Sequence, residues 1–267
     1  MQWLARRPIA TPVLITSVTE FERLFGNLTG LSYHPTTDTR PDTPNFLAHA
    51  VHAFFDNGGQ RLYVSRSFSI RRSFLGKTLN DGVARAQVWS SGPHQVEFVA
   101  RAPGSGLNGR ISIVQKKTRA NAADLMAAPE GSLLHANNVF YEKRAQAWVG
   151  GVGGDANLAY SDLTNAELVT LQVDIVDADG ATLSYEQLEF SAAHPRWIGH
   201  VLAMQPAPLP SALNQPYALH ISGNIDGLLL RQVLFGVSSE NHYTLSGGND
   251  GAEPRPNAYT LALLALE

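Results

Sequence analysis

From Val96 onward the chain breaks into short runs whose apolar residues recur at every second position. Val96, Phe98 and Ala100 form one such run, Ile111 and Ile113 a second, and Leu171, Val173 and Ile175 a third. Successive strand side chains point to opposite faces, so a period of two predicts half-buried strands with one face on a core. Asp177-Ala178-Asp179-Gly180 has hairpin-turn chemistry, and Thr182 to Leu188 reads as the returning strand. Further strands are predicted at Tyr217 to Ile221 and Leu228 to Val237, and a helix near Pro195 that carries Trp197, Ile198, Val201 and Leu202.

The first ninety or so residues have a different rhythm. Pro12 to Ile15 reads as a strand, and Ser17 with Glu20 three residues on has the spacing of a capping box. Val18, Phe21, Leu24 and Phe25 then share a helix face, which Gly26 ends. After a polar, turn-rich loop from Asn27 to Thr43, Pro44 stands where a first helical residue is tolerated. Phe46, Leu47, Ala50, Val51, Phe54 and Phe55 recur at helical spacing, Asn57-Gly58-Gly59 supplies a left-handed stop, and Arg61 to Arg66 alternates as a strand. This order predicts a mixed α/β layer. A last helix is predicted from Pro256 or Asn257, running through LALLALE to Glu267 with no cap or trailing polar segment, the pattern of a shortened chain or a short member of something longer.

With 267 residues, about two domains are expected, and the core is large enough to need no covalent staples. Charged residues make up 16%, well below the usual quarter or so, which predicts a surface unusually uncharged for a free monomer. The net charge of −3 gives no electrostatic basis for gripping nucleic acid or an anionic membrane. Zero cysteines remove disulfides, thiolate metal sites and Cys nucleophiles. Arg6 and Arg7 precede an apolar stretch, but Pro8 and Pro12 interrupt it and no small-residue cleavage site follows, so it reads as a strand entering a domain. No membrane-spanning segment is expected.

Five motifs need weighing for chemistry. GSGLNG at Gly104 to Gly109 matches a dinucleotide loop, yet strand pattern follows it where the motif needs a helix N-terminus, so a turn between strands is expected. GGVGGD at Gly150 to Asp155 has no following Lys-Ser/Thr and reads as a loop. SGGNDG at Ser246 to Gly251 precedes the predicted C-terminal helix but lacks the P-loop lysine, and Asp250 would repel an anion. His49, His52 and Asp56 share a helix face, but no spacing among the other histidines completes a metal set. Asp177 to Gly180 matches part of a calcium loop, but a preceding ligand position is held by Ile175. With no G-x-S-x-G and no serine beside an obvious base, no catalytic, cofactor-binding or metal-binding residue is assigned, and the chain is read as not an enzyme.

Three segments in order resemble the contractile tail sheath proteins of phages and related injection machines. The first is TPVLITSVTEFERLFG at Thr11 to Gly26, followed by NFLAHAVHAFFDNGGQRLYVSR at Asn45 to Arg66. The second, ARAPGSGLNGRISIV at Ala100 to Val114, is similar to the family's A-R-x-P-G-x-x-G-N signature, with Asn108 here preceding Gly109. The third is LSGGNDGAEP at Leu245 to Pro254, and VDIVDADG, YEQLEF and HPRWIGHVL resemble the family's inserted domain.

The resemblance implies an α+β, mixed α/β protein. A discontinuous α/β core of subtilisin-like fold would span residues 1–92 and 224–267, and an inserted β-sandwich residues 93–223. "Subtilisin-like" describes the fold and implies no protease activity. It implies a structural subunit that polymerises helically around an inner tail tube and contracts to drive the tube through a target envelope. Partners would be further copies of itself, the tube protein, and baseplate and tail terminator proteins. The place would be a virion tail or contractile particle assembled in the bacterial cytoplasm. The family's N-terminal arm and C-terminal domain have no counterpart here, so this chain is expected to be monomeric or weakly associating at micromolar concentration. No residues are assigned to inter-subunit contacts. Rival expectations are a surface- or carbohydrate-binding module built on the sandwich and an α/β hydrolase.

Overall fold

The computed structural model describes residues 12–25, 28, 44–65, 81–150, 156–158, 165–178, 180–204 and 215–249. The segment GGVGGD past Gly150, residues 250–251 and the predicted C-terminal helix lie outside the described residues.

Near the N-terminus, β1 (Val13–Ile15), α1 (Val18–Phe25), α2 (Phe46–Asp56) and β2 (Leu62–Val64) follow in the predicted order. The two strands pair antiparallel, Val13 opposite Val64. Ser17 caps α1 by accepting from the Glu20 N–H (3.1 Å), but the Glu20 carboxylate reaches one residue further back than a capping box, to the N–H and hydroxyl of Thr16. Pro44 precedes the helix rather than opening it, because Asn45 takes the cap and accepts from Ala48 N–H. Gly58, at φ +87°, makes the left-handed stop. Phe21, Phe25, Ala48, Val51 and Ile15 close a small core of their own.

The rest of the described chain is mostly antiparallel sheet. The strands are β3 (Val83–Ser91), β4 (His94–Pro103), β5 (Gly109–Arg119), β6 (Leu133–Ala136), β7 (Val139–Arg144), β8 (Ala147–Gly150), β9 (Ala156–Leu158), β10 (Glu167–Asp177), β11 (Thr182–Leu188), β12 (Tyr217–Ser222) and β13 (Glu240–Leu245). One sheet runs β12-β4-β3, and the larger runs β13-β5-β10-β6-β7-β8-β9, with β11 also on β10. β5 pairs with all of Glu167 to Asp177, while β6 and β11 share the opposite edge of β10. Arg85 and Ser246 exchange backbone hydrogen bonds and stitch the two sheets together. The inward alternation of Val169, Leu171, Val173 and Ile175 meets Ile111, Ile113, Val96 and Phe98 in one core. The adjacent Leu133 and Leu134 feed opposite faces, Leu134 joining Trp148 and Tyr141 under α3 (Ala122–Ala127). The molecule is thus an α+β protein with several sheets.

Two sequence expectations are corrected. Leu228 to Val237 is not a strand; residues Gly227–Phe235 form α5. A continuous apolar run does not distinguish strand from buried helix, and what decides is the Asp226 carboxylate capping Leu229 N–H at 2.7 Å, with burial at Gly227, Leu230 and Leu234. The helix predicted from Pro195 is only α4 (Ile198–Val201). Ser91 pairs with His94 in the β3–β4 hairpin, and Ala84, Ala86, Leu230, Leu234 and Leu245 lie in the same core as Phe98 and Ile113.

Candidate functional site

The two glycine-rich motifs meet. β4 ends at Pro103, a single 3₁₀ turn covers Ser105–Leu107, and Asn108 leads into β5, so GSGLNG is the expected turn between strands. The Asn108 side-chain amide then forms a reciprocal pair with the peptide of Gly248, 140 residues away, donating to Gly248 O at 2.9 Å and accepting from Gly248 N at 2.8 Å. The carbonyl of Gly82 accepts from both Gly104 N (2.9 Å) and Asn249 N (3.0 Å). A Cβ at Gly248 would collide with Gly104 O, so only glycine permits this approach. Upstream, the Arg101 guanidinium donates to the carbonyls of Gln215 (2.7 Å), Met204 (2.8 Å) and Ala203. The polar atoms named in these motifs are spent on backbone groups, an arrangement that locks loops together.

A second polar cluster is centred on the buried Glu142 and Ser191. Ser191 donates to Glu142 Oε1 at 2.5 Å, and Arg144 donates to Glu142 Oε2 at 2.6 Å and to Asp226 Oδ2 at 3.0 Å. This joins β7, the loop after β11 and the cap of α5. Hydrogen bonding to Glu142 is the main cause that raises the Arg144 pKa above its ordinary value. A serine–histidine pair would need an imidazole on the serine hydroxyl; the Ser191 hydroxyl is instead held by the Glu142 carboxylate, and His194 Nδ1 accepts from Arg196 N–H at 3.0 Å. Beside this cluster sits Glu189, 7% exposed, whose Oε2 has no hydrogen-bond partner among the described residues. Desolvation pushes its pKa from 4.5 up to about 8, against the opposing pull of the Leu133 N–H and the Arg196 charge. Glu189 is therefore mostly a neutral acid at pH 7.

A polar cleft of about 450 Å³ is lined by Arg119, His135, Asn137, Asn138, Asn165 and Glu167. Its three asparagines all have positive φ, between 51° and 63°, a conformation Asn tolerates in tight turns. His135 Nδ1 lies 3.1 Å from Lys117 Nζ and 3.2 Å from Glu167 Oε2. In the tautomer with hydrogen on Nδ1 the ring donates to Glu167, and in the other tautomer Nδ1 accepts from Lys117. The nearby Phe140 ring is tilted on His135 and carries the Arg231 guanidinium 3.7 Å from its centroid, so that face is taken.

Of the motif residues weighed by sequence, His49 and Asp56 are exposed and His52 Nε2 pairs with Glu22 at 3.1 Å. Among the described residues no group of three His, Cys, Asp or Glu is placed to hold a metal. At Asp177 to Gly180 the Asp177 carboxylate accepts from Ala181 N–H and its carbonyl from Gly180 N–H, as in a hairpin turn. Among the described residues no helix is long and apolar enough to cross a membrane. The Glu142, Ser191 and Glu189 cluster was not legible as a unit. Its only sequence signal is a glutamate beside Phe190 at the end of an alternating strand. Comparison with known protein families, with curated proteins and with solved structures returns no match.

Proposed function

We propose that this chain is a structural subunit of a contractile tail sheath, polymerising helically around an inner tube and contracting to drive the tube through a target envelope. The observation that carries this reading is the clasp between Asn108 and Gly248, because it joins two of the segments that resemble the family, far apart in sequence, into one piece. A sheath subunit must move as a nearly rigid body between two arrays, with rotation replacing refolding, and interlocked loops serve that need. In this reading the β1–α1–α2–β2 unit belongs to an α/β core of subtilisin-like fold. The two-sheet body from β3 to β13 contains the inserted sandwich. The contacts between copies are heterologous and open-ended. Partners are further copies, the tube, the baseplate and the terminator, in a virion tail or contractile particle assembled in the bacterial cytoplasm. No catalytic step is proposed.

The test is negative-stain electron microscopy of the protein alone, with any flanking coding sequence, and co-expressed with a tube protein. Tubes or stacked rings in at least one preparation are the expected result; dispersed particles in all three would overturn the reading. One observation favours a second reading, a carbohydrate-binding module: the polar cleft around His135 and Glu167. Glycan-array binding abolished by Glu167→Ala would favour it over a sheath.

A further inference from the structure

The inner face of the larger sheet turns polar at one end. On β5 the inward residues run Ile111, Ile113, Gln115, Lys117 and Arg119, buried as far as Gln115 and exposed beyond it. Register sets Arg119 opposite Glu167 of β10, and Glu167 opposite His135 of β6, so three polar side chains stand in one row across adjacent strands. The β6–β7 turn at Asn137-Asn138, and Asn165 ahead of β10, complete a cleft of about 450 Å³. That volume falls within the roughly 300–1,000 Å³ of small-molecule sites.

The charges and free groups of the cleft define what it can hold. Lys117 Nζ lies 3.7 Å from Glu167 Oε2, so that carboxylate already has a matching charge. Arg119 is a surplus cation. Its guanidinium, like the side-chain amides of Asn138 and Asn165, has no hydrogen-bond or ion-pair partner among the described residues. A guanidinium offers only donors, in a fork that fits a carboxylate, whereas an ionised Glu167 offers only acceptors. A ligand that satisfies both carries a carboxylate and hydroxyl donors together, which acetate or sulfate does not. Asn138 and Asn165 donate and accept at once, which suits the remaining hydroxyls. Glycine would take the positive φ of these two positions at no steric cost, and asparagine adds an amide at the cleft instead. A neutral sugar would leave Arg119 unanswered, and among the described residues no Phe, Tyr or Trp lines the cleft for it to stack on.

We propose that this cleft binds an acidic sugar, a hexuronate or sialate unit, with Arg119 gripping its carboxylate and Glu167, Asn138 and Asn165 its hydroxyls. The inference rests on the carbohydrate-binding reading of the cleft, which it narrows to a charged ligand, and it is independent of the sheath reading.

The test is an amide NMR titration of the full chain with matched pairs of sugars. Methyl galacturonide is compared with methyl galactoside, methyl glucuronide with methyl glucoside, and the methyl glycoside of N-acetylneuraminic acid with its methyl ester; acetate is the simple carboxylate. At least one acid should bind about ten-fold or more tightly than both its neutral counterpart and acetate, and should shift the side-chain amide signals of Asn138 and Asn165. Arg119→Gln should remove that preference. Asn138→Gly, which suits the turn, should weaken binding about three-fold or more and keep the preference. The dispersed spectrum of each variant verifies that it folds. Equal binding of acid and neutral counterpart, or a preference that survives Arg119→Gln, would overturn the proposal and leave a neutral-sugar site standing. Acetate binding as tightly as the acids would overturn it as well, because the hydroxyls would then contribute nothing. No binding by any sugar would overturn it together with the carbohydrate-binding reading.

Discussion

Replacing Glu189 with Gln tests the buried acid directly. A group whose pKa is raised in the folded state stabilises that state while protonated. The contribution of Glu189 is therefore fully present below about pH 4.5 and is lost as the pH rises through about 8. A pKa displaced from 4.5 to about 8 corresponds to a total on the order of 5 kcal/mol at about 1.4 kcal/mol per unit. About 4 kcal/mol of this falls between roughly pH 5 and pH 9. At 7% exposure the side chain is little screened by solvent. Glutamine has nearly the same shape and does not titrate. Urea unfolding at about pH 5, 7 and 9 should show Glu189→Gln growing more stable relative to the natural chain as pH rises, by about 4 kcal/mol across the range. Every other titrating group cancels in the comparison. If the stability difference between the two chains stays constant within about 0.5 kcal/mol from pH 5 to 9, the argument that burial controls this carboxyl is refuted.

Two further substitutions probe the packing. Asn108→Ala strips both partners from the Gly248 peptide and should cost about 2 kcal/mol, read as a fall in Tm of about 4–8 °C by calorimetry; an unchanged Tm would show that the clasp carries no energy. Lys143 is buried with its Nζ donating to the carbonyls of Leu125 (3.3 Å), Met126 (2.8 Å) and Ala128 (2.6 Å), closing the C-terminus of α3. Lys143→Met should destabilise by about 2–4 kcal/mol. It should also speed hydrogen exchange between residues 124 and 128, whereas unchanged exchange there would refute a capping role.

Much of the local structure was legible because it depends on neighbours in sequence. The period-two runs at Val96, Ile111 and Leu171, the hairpin at Asp177, the cap at Ser17 and the face of α1 are where the sequence places them, whereas α2 buries Ala48 and Val51 and leaves Phe46, Leu47, Ala50 and Phe54 of its expected face exposed. Each rests on side-chain direction or turn chemistry within a few residues. α5 was misread because LLLRQVLF satisfies both periods, and the choice was made by the Asp226 cap and by the core that Leu230 and Leu234 enter.

The sequence by itself thus determined which segments are strands with one inward face, where most turns fall, and that no thiol chemistry is available. Only the tertiary structure decided that β3 and β13 share a core with the central strands, that Asn108 grips Gly248, and that Glu189 is a buried, mostly neutral acid at pH 7. The physical reason is range: propensity and periodicity act over a few residues. A strand's sheet partners, an asparagine's distant peptide and a carboxyl's loss of water depend on which remote segments arrive beside it.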